Sequence, residues 1–187
     1  MNQRERGELD SHITGNNGED DPALQETTQF KRGEEWADPR PVLRVKRLRP
    51  EARLPERATD GSACFDLRVC EPRSEPITMG GSVKAATFAT GLAFEVPQGH
   101  VMLIFSRSGH GFKHDIRLAN CVGVIDSDYR GEVGVRLTSD THRELVVKDG
   151  DRIAQAMLLK LPDVVIEESD ELSDTPRGTG GFGSTGS

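Results

Sequence analysis

Two stretches of this 187-residue chain hold side chains suited to chemistry on a phosphorylated, ring-bearing ligand. The first runs Gly123-Val124-Ile125-Asp126-Ser127-Asp128-Tyr129-Arg130-Gly131-Glu132. Asp126 is a candidate general base. Tyr129, the only tyrosine, offers a flat platform beside two carboxylates. Gly123 and Gly134 lack a Cβ, so a planar ligand can approach the backbone closely there. Acidic residues, serine and glycine are also what ordinary turns are made of, and Tyr129 is what sets this one apart. The second stretch is Arg177-Gly178-Thr179-Gly180-Gly181-Phe182-Gly183-Ser184. Glycine-rich ends are usually flexible tails. One arginine and one phenylalanine among the glycines instead suit a flap, with guanidinium to phosphate and ring to base. Together the two stretches point to a nucleotide triphosphate.

Two further segments bear on phosphate binding. Phe105-Ser106-Arg107-Ser108-Gly109 leaves an apolar run and opens the one helix-prone stretch, Ser108–Ile116. A hydroxyl, a glycine amide and an arginine at a helix start suit an anion, or simply an N-cap with a surface arginine. In Gly150-Asp151-Arg152-Ile153-Ala154-Gln155, alternation places Arg152 with Ala154 and Ile153 with Gln155. Gln155 needs a partner if buried; a solvated glutamine on an edge strand is the plainer reading. Asp66 ends an apolar stretch and likewise needs a partner. His110 and His114 stand at i, i+4, but Gly111 lies between them and no third ligand follows, which argues against zinc.

The elements that must hold these groups are short strands. The runs Val42–Leu48, Ala63–Val69, Val83–Thr90, Leu92–Val96, Val101–Phe105, Glu132–Leu137, Glu144–Val147, Ile153–Leu159 and Val164–Glu167 read as strands separated by Gly and Pro turns. The turn carrying Asp126 then reads as the wide tip of a β-hairpin between Val122–Ile125 and Glu132–Leu137. This spacing predicts an all-β sandwich or barrel with one short helix. Residues 1–40 hold ten Asp/Glu and five Lys/Arg, so they carry −5 of the net −7. They read as a disordered acidic extension, with Trp36 near its end. Residues 41–168 form the β domain, and 169–187 read as a mobile arm. Net acidity argues against a nucleic-acid partner. No apolar run reaches the length of a membrane span. Cys64, Cys70 and Cys121 lack metal spacing and read as reduced thiols of a cytoplasmic protein.

The motifs, taken in order, resemble those of the homotrimeric dUTPases over roughly residues 41–187. They are Ser62-Ala63-Cys64-Phe65-Asp66-Leu67, Arg107-Ser108-Gly109, Asn120 through Gly131, Gly150 through Gln155, and Arg177 through Ser184. The resemblance implies a jelly-roll or distorted β-barrel subunit and a homotrimer with active sites shared between subunits. It implies Mg²⁺-dependent hydrolysis of dUTP to dUMP and pyrophosphate. Asp126 would activate water, and Tyr129 would pack under the deoxyribose. Asn120, Gly123, Ile125 and Gly134 would read uracil. Arg107, Ser108, Gly109 and Gln155 would hold phosphates. Arg177 would clasp the γ-phosphate, and Phe182, followed by Gly183 and Ser184, would cover the base. No side chain would bind Mg²⁺ directly; phosphates and waters would hold it, with Asp66 acting through a water. The sequence departs from the family pattern at Cys64, Ser106 and His110, where Gly, Pro and Leu are usual. Two other readings are a dCTP-deaminase-like relative, which would use a catalytic glutamate, and a dUTP-gated binding protein that uses the N-terminal extension toward a partner not identified.

Overall fold

Two-residue alternation of apolar and polar side chains makes a strand with one buried face. The run Glu132–Ser139 shows it: Val133, Val135, Leu137 and Ser139 are buried, while Gly134 and Arg136 face outward. The computed structural model describes residues 40–71 and 75–181. Within that span the elements are β1 (Arg44–Arg47), β2 (Phe65–Arg68), β3 (Ile77–Met79), β4 (Ala85–Glu95), β5 (His100–Phe105), α1 (Ser108–His114), β6 (Ile116–Leu118), β7 (Val122–Ile125), β8 (Glu132–Ser139), β9 (Leu145–Val147) and β10 (Arg152–Lys160). Two antiparallel four-stranded sheets, β1-β4-β8-β6 and β2-β10-β5-β7, share one core; β3 and β9 form a ribbon. Phe88 and Phe94 from β4, Met102 from β5 and Ile153 from β10 are fully buried in that core. The all-β fold with one short helix is as expected, but the sheets are open layers and no closed barrel forms among the described residues.

Several elements differ from the sequence reading for identifiable reasons. Val83–Thr90 and Leu92–Val96 are one strand, β4, with a register shift between Ala89 and Ala93. Gly91 sits in that irregularity at φ +68, and a Cβ there would stand 2.8 Å from Ala52 Cβ. The helix stops at His114 because Asp115 adopts a left-handed conformation, φ 54 and ψ 37. Ile116 therefore opens β6, whose pairing with β8 no local signal announces. Val164–Glu167 is not a strand: Val165 and Ile166 are 93% and 96% exposed and have no ladder partner. Their β-branched character favours an extended chain but cannot supply a neighbour. The hairpin reading is also corrected. β7 pairs with β5 and β8 pairs with β4 and β6, so residues 126–131 cross from one sheet to the other.

Candidate active site

That crossing sets up the first half of the site. β7 is the edge strand of its sheet, so one side of its backbone has no ladder partner. Beside it lies a cavity of about 340 Å³ whose lining includes Asn120, Gly123, Ile125 and Gly134. These are the four residues expected to read a base. The two glycines differ in role. A Cβ on Gly123 would meet Ile104 Cβ at 3.1 Å, so packing within the subunit already demands a small residue there. A Cβ on Gly134 would have nothing nearer than 3.9 Å, so its absence leaves room on the outer face.

Past β7 the turn presents Asp126 and Tyr129, both exposed. The Tyr129 amide donates to Asp126 O at 3.3 Å, and the Tyr129 hydroxyl donates to Glu132 O at 3.0 Å. The ring lies against Gly131, where any Cβ would overlap it. Arg130 turns back on its own loop and donates to the carbonyls of Ser127 at 2.7 Å and Tyr129 at 3.0 Å. It is occupied with shaping the turn.

The second half of the site lies where β5 leaves its sheet. Arg107 is the N-cap of α1 and makes no side-chain cap bond, so Ser108 is the first helical residue, not the cap. The amides of Ser108 and Gly109 have no acceptor within the helix, while those of His110 and Gly111 both donate to Arg107 O. Arg107 Nε and Arg152 NH1 each donate to a different oxygen of Asp66 at 3.1 Å. Asp66 is only 13% exposed in its side chain, so this pairing is what makes its burial tolerable. Arg152 reaches it because β10 shifts register between Arg152 and Ala154, which brings Arg152 and Gln155 to one face and breaks the expected alternation. β10 is also an inner strand, between β2 and β5, which corrects the edge-strand reading of Gln155. Its partner is Ser106 O, at 3.0 Å from Nε2.

Sequence reasoning marked Ser106 as a departure from the family pattern but gave its hydroxyl no partner. Where the family pattern has proline, its hydroxyl accepts the Leu118 amide at 2.9 Å and ties the start of this phosphate end to β6. His110, another departure, lines a cavity of about 270 Å³ together with Arg107, Asp151 and Arg152. Its Nδ1 is buried without a hydrogen-bond partner in the described structure. Burial, then the charges of Arg107 and His114, push its pKa down to about 4, so it is neutral at pH 7.

The arm contributes less. Arg177 is exposed, and its Nε donates to Gly180 O at 2.9 Å within the arm's own turn. Phe182, Gly183 and Ser184 lie outside the described residues, as do Trp36 and the acidic extension. Among the described residues no group of three or more His, Cys, Asp or Glu is placed to cage a metal.

A two-sheet β fold with a cavity at an edge strand, and two arginines on one carboxylate beside a helix start, suits a nucleotide-handling enzyme. Comparison with known proteins narrows this. A dUTPase family model matches residues 50–186. A deoxyuridine 5'-triphosphate nucleotidohydrolase of Nautilia profundicola is 44% identical over 144 residues, covering 77% of this chain and 98% of that protein. The enzyme of the same name from Sinorhizobium medicae is 43% identical over 157 residues, covering 83% and 98%. Among solved structures, the Staphylococcus bacteriophage 80alpha dUTPase with dUPNHPP superposes with a TM-score of 0.68 at 26% identity, covering 78% and 99%. The chain belongs to the dUTPase family, the dUTP diphosphatases.

Proposed function

We infer that Asp126 is the base of a dUTP hydrolysis in which two copies of the chain build each site. The reaction is hydrolysis of dUTP to dUMP and pyrophosphate. The observation that carries this reading is the cavity lined by Asn120, Gly123, Ile125 and Gly134, with Asp126 directly following Ile125 in the chain. Free amides and carbonyls of an edge strand match the O4 acceptor and N3–H donor of uracil. Cytosine reverses that pattern and leaves buried groups unpaired. A base packed closely on the Gly123 and Gly134 backbone would exclude the thymine methyl by contact. Tyr129 packs under the deoxyribose. Asp126 accepts the proton of a water that attacks the α-phosphorus, and pyrophosphate leaves.

The shared site rests on the dUTPase resemblance, and the register gives the spacing within one copy. Ile125 pairs with Met102, whereas Arg107 and Ser108 follow Phe105, three residues further along β5. That is about 10 Å along the strand before the loop begins. In the shared site that the dUTPase resemblance implies, the triphosphate of a base held in this cavity meets Arg107, Ser108, Gly109 and Gln155 of another copy. A second copy supplies them, and a closed ring of three satisfies each site in turn. Arg177 and Phe182 close over the ligand from the arm.

A metal in this site fits the donors present. Both Asp66 oxygens are taken by arginines, so Mg²⁺ would be held by triphosphate oxygens and water. When bound there it neutralises charge on the phosphates. A cytoplasmic setting accords with the three unpaired thiols.

The test is turnover of dUTP, dCTP, dTTP and UTP with magnesium by wild type and Asp126→Asn. Release of dUMP and pyrophosphate from dUTP alone, lost in the variant, is the expected result. Ammonia release from dCTP would make the chain a deaminase, and tight dUTP binding without turnover would make it a sensor.

A further inference from the structure

A sugar platform discriminates only if it stays put, and Tyr129 stands on an exposed crossing between two sheets. Its hydroxyl has one hydrogen bond, to Glu132 O. Wherever that carbonyl sits, the ring follows. Glu132 in turn is held at three points. Its two carboxylate oxygens accept Arg49 NH1 at 2.5 Å and Arg49 NH2 at 3.1 Å, a forked pair. Oε1 also accepts the Gly91 amide at 2.7 Å.

That amide is available because β4 leaves its ladder at Gly91, where φ is +68. The Gly91 carbonyl accepts Leu48 N–H at 2.8 Å, so one glycine ties the exit of β1 to the start of β8 through both of its backbone groups. Arg49 and Glu132 are 83 residues apart in sequence. The Arg49 hydrogen bonds, reinforced by the Gly91 amide and opposed by burial, hold the Glu132 carboxyl below its ordinary range.

We propose that Arg49 and Glu132 are positioning residues for sugar discrimination: the pair fixes the carbonyl that fixes Tyr129, and so sets how strongly a 2′-hydroxyl is rejected. This rests on the reading of Tyr129 as the surface beneath the deoxyribose. A pair that merely stabilised the sheets would affect melting and leave the choice of sugar alone. A pair that places the ring alters the choice itself.

The experiment compares kcat/KM for dUTP and UTP in wild type, Arg49→Met, Arg49→Lys and Glu132→Gln, with melting temperature recorded alongside. Tyr129 is the only tyrosine, so 3-fluorotyrosine labelling gives a single ¹⁹F resonance that reports its ring. The preference for dUTP over UTP falls about tenfold in Arg49→Met and about threefold in Arg49→Lys, which keeps the charge without the fork. The ¹⁹F resonance moves and narrows in the same order. A preference unchanged within about twofold, with only the melting temperature lowered, overturns the proposal; so does an unmoved resonance. If Arg49→Met does not fold, Arg49→Lys and Glu132→Gln carry the same comparison. Wild type that takes UTP as readily as dUTP would instead remove the sugar-platform reading beneath it.

Discussion

Where β5 leaves its sheet, Arg107 and Arg152 each donate to Asp66 of β2, a half-buried carboxylate, and Gln155 of β10 donates to Ser106 O. Along β7, the cavity instead offers edge-strand backbone and missing Cβ atoms, and Asp126 and Tyr129 are exposed. On the proposed assignment of phosphates to the first region and base to the second, the contrast follows the ligand. A triphosphate needs cations held in place, and cations crowded together need a fixed counter-charge. Uracil is small and neutral, and it is told from cytosine by donor and acceptor order, which rigid backbone provides without side-chain entropy. One end is therefore sensitive to charge and the other to shape.

The sharpest way to break that division is Asp126→Asn. Turnover of dUTP falls about 10³-fold while its binding changes by less than about threefold, read by pyrophosphate release and calorimetry. Next is the arm. Ending the chain after Asp174 lowers kcat/KM about 10²-fold. The melting temperature stays put, because residues 161–179 are exposed throughout. Asp66→Ala separates the ends by stability: it leaves Arg107 and Arg152 facing each other without their acceptor and costs about 2 kcal/mol in denaturant unfolding.

The shape end is sharpened by a pair of glycines. Gly134→Ala raises KM for dUTP about tenfold with little loss of stability, because a Cβ there has 3.9 Å of clearance within the chain. Gly123→Ala costs about 1 kcal/mol of stability through its 3.1 Å contact with Ile104. Equal melting losses in the two would end the distinction.

The smallest effect concerns His110. Its folded pKa of about 4 lies below the ordinary 6.5, so between those values the unfolded chain binds more protons. Stability contributed by neutral His110 is complete above about pH 6.5 and is lost as pH falls toward 4. His110→Leu removes that slope, and wild type should lose about 1 kcal/mol more than the variant between pH 7 and pH 5.

The sequence by itself determined the family, through short motifs whose residue types and spacing the dUTPase family model matches over residues 50–186. Motif spacing survives without coordinates. The sequence also determined β8, where alternation is unbroken. Tertiary structure decided whatever depends on a change of register or on a distant partner. Gly91 lets β4 run on as one strand, and the shift in β10 brings Arg152 and Gln155 to one face, against simple alternation. Val164–Glu167 had strand-like residues and no neighbour, so it formed no ladder. Residues 126–131 look like a hairpin tip in sequence and are a passage between sheets, because strand pairing is settled by the whole set of competing edges. The same holds for Arg49 and Glu132: local propensity acts over a few residues, and a bond across 83 residues exists only once β1, β4 and β8 have assembled into one sheet.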